Sequence, residues 1–182
     1  MIVHNKFIGL ALFFLCLTNS YGQDQSSILA QIKQTFQKIN NDKNYEIIII
    51  DNSDAFLGHS TDNGGSLKGF YQGDSLLKIV EWVGLSNRVV QTEYYFDKGK
   101  LVFVYSTDSR YKFNHISEKL DYSKFDEISE ERYYFNNGKL IAVLLSEKEK
   151  NKQQDATDFL TSSEYYTKLL NTKRYNKNKT PL

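Results

Sequence analysis

The chain has 182 residues, and its 23 basic and 22 acidic side chains leave a formal charge of +1. That balance gives no global electrostatic reason to expect nucleic acid or an anionic membrane as partner. A hydrophobic content of 40% with a single Pro fits one folded domain with a core of its own and argues against extended disorder.

The first 22 residues read as a signal peptide. Lys6 supplies the n-region charge and Phe7 to Leu17 the apolar h-region, which is short for a membrane span. Ser20-Tyr21-Gly22 places small residues for cleavage after Gly22. A retained N-terminal anchor is one alternative. A lipoprotein built on Cys16 is another, although Phe13-Phe14-Leu15 lacks the small residues that lipidation needs. Cleavage removes Lys6 and the only Cys, leaving 22 basic and 22 acidic residues and no thiol for a disulfide or a metal. The expectation is an exported protein, periplasmic or secreted, with no transmembrane span once the signal is cut.

Residues 23–172 are expected to form a single α+β domain. Gln25 to Asn40 has Ile28, Leu29, Ile32, Phe36 and Ile39 at helical spacing, which predicts an amphipathic helix lying on a sheet or against a partner. Tyr45 to Asp51 contains four consecutive Ile and predicts a strand buried on both faces, hence central. Asn52 to Gly65 reads as a long polar loop. Three β-hairpins follow. Tyr94-Tyr95-Phe96-Asp97-Lys98-Gly99-Lys100-Leu101 returns 39 residues later as Tyr133-Tyr134-Phe135-Asn136-Asn137-Gly138-Lys139-Leu140. A looser copy, Tyr71-Gln72-Gly73-Asp74-Ser75-Leu76, keeps the same step from aromatic to Leu. Aromatic and β-branched flanks favour strands, and Gly supplies the positive φ that a tight turn requires. Unequal spacing argues against a propeller or solenoid. The fold predicted is an antiparallel β-meander of about six to seven strands, flanked by N- and C-terminal helices on one face.

Thr107 to Glu130 admits two readings, a loop packed by its own aromatics or a distal extension of both flanking strands. Glu147 to Gln154 reads as a polar connector. Ala156 to Leu170 predicts a second amphipathic helix through Ala156, Phe159, Leu160, Tyr166, Leu169 and Leu170. Residues 173–182 read as a basic, frayed tail.

Several constellations suggest chemistry. Gly58-His59-Ser60-Thr61-Asp62 begins like a nucleophile elbow, but Asp62 stands where the elbow needs Gly. A hydrolase centred on this loop would need His115 or a carboxylate within reach of Ser60. Asp51, Asp54, His59 and Asp62 are close in sequence, yet Phe56 occupies the position where a calcium loop needs Gly, so no metal and no cofactor is expected. Glu93 and Glu131 are a candidate carboxylate pair in glycosidase style. Adjacent strand residues point to opposite faces, so if Tyr94 and Phe96 face the helices, Tyr95 and Tyr134 face outward with Trp82 as a binding surface. The ligand-binding residues expected are therefore His59, Ser60, Asp62, Trp82, Tyr95 and Tyr134.

Lys78-Ile79-Val80-Glu81-Trp82, Glu93-Tyr94-Tyr95-Phe96 and the leader ending Ser-Tyr-Gly-Gln resemble small exported proteins of Bacteroidota, over roughly Asp62 to Val143. The resemblance implies no activity. It does imply a reading of Asp74-Ser75-Leu76, which resembles the O-glycosylation signal of that group and would stand on a hairpin tip. The functional expectation is a non-enzymatic binding module for a protein or a glycan. The alternatives are the hydrolase centred on the His59 loop and a subunit of an envelope assembly.

Overall fold

The computed structural model describes residues 19–146 and 156–179. The h-region of the expected signal peptide and the connector Glu147 to Gln154 lie outside the described residues. The order is α1 (Asn19–Asn41), β1 (Glu46–Ile50), α2 (Ser53–Leu57), β2 (Gly65–Gln72), β3 (Ser75–Gly84), β4 (Arg88–Asp97), β5 (Lys100–Asn114), β6 (Lys119–Asn136), β7 (Lys139–Leu145) and α3 (Ala156–Lys179). The seven strands form one antiparallel meander in chain order, with both terminal helices packed against it.

The repeat has a common geometry. All three copies of the repeat turn on two residues, Gly73-Asp74, Lys98-Gly99 and Asn137-Gly138. In the last two turns both residues take positive φ: 49° and 75° at Lys98 and Gly99, 50° and 74° at Asn137 and Gly138. That is the turn whose twist matches the twist of paired strands. Each returning strand then carries one extra residue, Leu77, Val102 or Ile141, where the register shifts. All three extra residues pack on the α1 side of the sheet. The step from aromatic to Leu pairs Tyr71 with Leu76, Phe96 with Leu101 and Phe135 with Leu140 across the two strands. The motif therefore supplies apolar side chains to both faces next to each turn.

Two apolar faces need two covers, and this corrects the expectation that the helices share one face. α3 covers Tyr94, Phe96, Val104, Tyr133 and Phe135 with Phe159, Tyr166 and Leu170. α1 covers Tyr95 and Phe103 from the opposite side with Ile32, Phe36 and Ile39. The paired aromatics of the repeat alternate across the sheet, so each face carries an apolar patch for a helix to cover.

β1 is an edge strand, not a central one. Ile48 is 2% exposed on the α3 side, whereas Ile47 and Ile49 are 44% and 47% exposed. A meander leaves its first strand at the border, whatever its composition. Thr107 to Glu130 is the distal extension of both strands. β5 and β6 run beyond the end of β4 as a two-stranded arm, on which the Tyr111 ring lies 5.1 Å from Phe125 and 4.9 Å from Tyr122. The segment read as a frayed tail continues α3 to Lys179. Arg174 holds it down: Nε donates to Glu46 Oε2 at 2.8 Å, Nη2 donates to the Gly73 carbonyl at 2.9 Å, and the guanidinium lies 4.6 Å from the Tyr71 ring centre.

Candidate functional site

The loop holding His59, Ser60 and Asp62 follows α2, a single helical turn. Asn52 caps it by accepting from the Asp54 amide, and Gly58 ends it at φ 76°. These are ordinary helix start and stop residues, and they were the signal for structure inside the segment read as loop. Phe56 and Ser53 are buried beneath it. The loop braces the β3–β4 turn. Asn63 donates from its backbone N–H to the Gly84 carbonyl at 3.1 Å and from Nδ2 to the Leu85 carbonyl at 2.7 Å. Asp62 Oδ2 accepts from the Ser86 amide at 3.2 Å. His59 and Ser60 are exposed, and no hydrogen bond joins either to another side chain among the described residues. His115 stands on the tip of the arm with its ring 5.1 Å from that of Phe113, and no bond links it to Ser60. Among the described residues no group of three or more His, Cys, Asp or Glu is placed to hold a metal.

Glu93 and Glu131 face opposite sides of the sheet, which removes them as a catalytic pair. Glu93 lies on the α1 side, where it accepts from the Tyr95 hydroxyl and pairs with Lys78 Nζ at 2.8 Å. Glu131 lies on the α3 side and accepts from the Tyr133 hydroxyl at 2.6 Å. The perturbed carboxylate is another one, Glu81, which accepts from Tyr166 at 2.8 Å and Tyr94 at 3.1 Å under α3. Burial pushes its carboxyl above the usual range, against the pull of those two phenols. A raised folded pKa means that Glu81 stabilises the fold fully in acid, and that this contribution is lost as pH rises through the raised value. The stability difference between native protein and Glu81→Gln is therefore expected to shift in favour of the variant from about pH 4 to about pH 8. Urea titrations at both ends read it, and a difference that does not change with pH contradicts it.

Trp82, Tyr95 and Tyr134 do share the α1 face, but in different settings. Tyr95 is fully buried and is no part of an outward surface. Its ring lies 5.0 Å from Phe36 and 5.6 Å from Phe103, with Lys78 Nζ 4.9 Å above it. Its hydroxyl meets Glu93 and Asn40. Tyr134 is half-buried, 4.9 Å from Phe103, and lines a groove of about 680 Å³ between α1 and strands β5 to β7. Ile32, Phe36 and Phe103 give this groove apolar walls, with Lys33 and Arg132 among its polar lining. Arg132 lies 5.2 Å from the Tyr105 ring centre and is paired with Glu130. Hydrogen bonds from Tyr105 and Arg132 hold the Glu130 carboxyl below its usual range.

Comparison with protein-family models, curated proteins and solved structures finds no match to this chain.

The groove joins α1 residues to side chains of β5, β6 and β7 far along the chain. Sequence reasoning reached Tyr134 through the repeat and missed Lys33, Phe103 and Arg132. Nothing local marks those three as neighbours. Trp82 stands near the loop that carries Asp62: the indole Cη2 and the Asn63 Cβ both crowd the point where a Gly84 side chain would begin, each at 2.8 Å. The loop and the Trp, read separately in the sequence, are thus brought together. Asp74 and Ser75 stand exposed at the first hairpin tip, with Asp74 Oδ1 3.7 Å from Arg174 Nη1.

Proposed function

We propose that this protein is a non-enzymatic binding module of the periplasm or cell exterior, and that its ligand lies in the groove between α1 and the sheet. The observation that carries this reading is the groove itself. At about 680 Å³ it falls within the size range of small-molecule sites, with apolar walls and two cationic side chains in its lining. Such a lining suits a ligand with an apolar body and an acidic head. The chain's leader-like N-terminus supports the location, because Lys6 followed by Phe7 to Leu17 is the pattern of an export signal.

Dodecanoate is the probe. Titration calorimetry with the full chain is expected to show saturable binding. Ala142 lines the groove, so Ala142→Phe fills it and is expected to weaken binding at least about tenfold, or about 1.4 kcal/mol. Its melting temperature and circular dichroism are expected to stay near native. Absence of binding, or binding unaffected by Ala142→Phe, refutes the groove as the site.

A further inference from the structure

We propose that Trp82 is the stacking platform of a neutral-carbohydrate site, separate from the groove. Trp82 and Gly84 are two apart on β3 and so share the α1 face. A Cβ built on Gly84 would stand 2.8 Å from the indole Cη2. The ring therefore lies along its own strand, down against the backbone of Gly84, in space that any other residue would fill. Asn63 closes the end of this seat, and its two hydrogen bonds to the β3–β4 turn fix it there. Trp82 remains half-buried, and no aromatic ring or cation among the described residues stacks on it. The part of the ring left exposed is the surface the ligand meets.

Level with the Trp82 backbone, the residues across the sheet on this face are polar; level with Gly84, where the ring lies, stands the buried Val89. Ser66 on β2 and Gln91 on β4 stand directly opposite it, and Thr107 on β5 and Glu130 on β6 continue the row. Gln91 Nε2 donates to Glu93 Oε1 at 3.1 Å. This fixes the amide while leaving its Oε1 to accept and its second N–H to donate. The carboxylates of the strip are already matched, Glu93 by Lys78 at 2.8 Å and Glu130 by Arg132. No unmatched carboxylate there recruits a cation, and a phosphorylated ligand would meet two carboxylates. The ligand that fits is uncharged, apolar on its face and hydroxylated around its edge, which describes a pyranose ring. C–H groups of the sugar lie on the indole, while Gln91 and Thr107 meet its hydroxyls. From β3 to β5 is two strand spacings, roughly 10 Å, or about the length of a disaccharide.

Trp82 is the only Trp in the chain, so its emission reports this site alone. The experiment titrates the full chain with maltohexaose, cellohexaose, chitohexaose and mannohexaose, following emission and acrylamide quenching. At least one sugar is expected to shift emission saturably and to reduce the quenching constant at least about threefold. Gln91→Ala is expected to weaken that sugar about tenfold with native thermal stability, and Ala142→Phe to leave it unchanged. Gly84→Ala, which lifts the indole from its seat, is expected to alter emission before any sugar is added. No response to any of the four sugars, or undiminished affinity in Gln91→Ala, overturns the site. Dodecanoate binding measured on the same preparation reports the groove separately, so either reading can fail without the other.

Discussion

Replacing Tyr95 by Ala is expected to destabilise the protein by about 3–5 kcal/mol, the cost of removing a large ring from a packed core. Tyr95 is fully buried in the α1-side cluster with Ile32, Ile39 and Phe103. Its ring supports Phe36 of α1 on one side and Phe103 of β5 on another. The truncation also strips Glu93 and Asn40 of their shared hydroxyl. Burial and the neighbouring Glu93 push the Tyr95 phenol far above its ordinary pKa, so it stays a neutral donor throughout the usual pH range. Tyr95→Phe keeps the packing and loses only the hydrogen bonds, and is expected to cost about 1–2 kcal/mol. Urea unfolding of the two variants separates packing from polar contributions. A Tyr95→Ala protein as stable as the native one would show that α1 does not seat on this ring.

Phe159→Ala is expected to cost a similar amount, about 3–5 kcal/mol, on the other face of the sheet. Phe159 is 1% exposed, with its ring 4.6 Å from Tyr133 and 6.3 Å from Tyr94. It is the first deep anchor of α3, ahead of Ser163, Tyr166 and Leu170 at spacings of four, three and four. Tyr165 on the same helix is 47% exposed, and Tyr165→Ala is expected to stay within about 0.5 kcal/mol of native. The pair tests the facing of α3 as well as its docking. Equal losses from the two variants would mean that the helix is rotated from the position described.

Legibility differed by element, and the difference is physical. The hairpin turns were legible because a two-residue turn is set by the residues in it. Asn137-Gly138 takes positive φ at both positions, which few other dipeptides do without strain. The terminal helices were legible from apolar spacing alone. The Ile run of β1 misled, because composition reports the propensity to pair and not the number of neighbours. Four Ile in a row suit a central strand, but a chain that opens its sheet with β1 and returns by meander leaves that strand one neighbour. Residues 173–179 misled in the same way, since their basic character suggested solvation while Arg174 finds Glu46 more than 120 residues away in sequence.

The candidate sites show the same division. Alternation along Tyr94-Tyr95-Phe96 required Tyr95 to oppose its neighbours, and it does. Alternation could not say that a helix covers the second face as well, which turns Tyr95 from a ligand contact into core. Tyr134, one strand pair farther along, escapes that cover in part and lines the groove.

Local chemistry sets the turns, the terminal helices, the antiparallel meander and the opposition of neighbouring aromatics, because each depends on residues a few positions apart. Packing between distant segments puts the terminal helices on opposite faces, makes β1 an edge, rests the indole of Trp82 on Gly84 beside Asn63, and encloses a groove between α1 and β5 to β7. Those features depend on which distant surfaces bury each other, and the pattern along a single strand or helix does not carry that information.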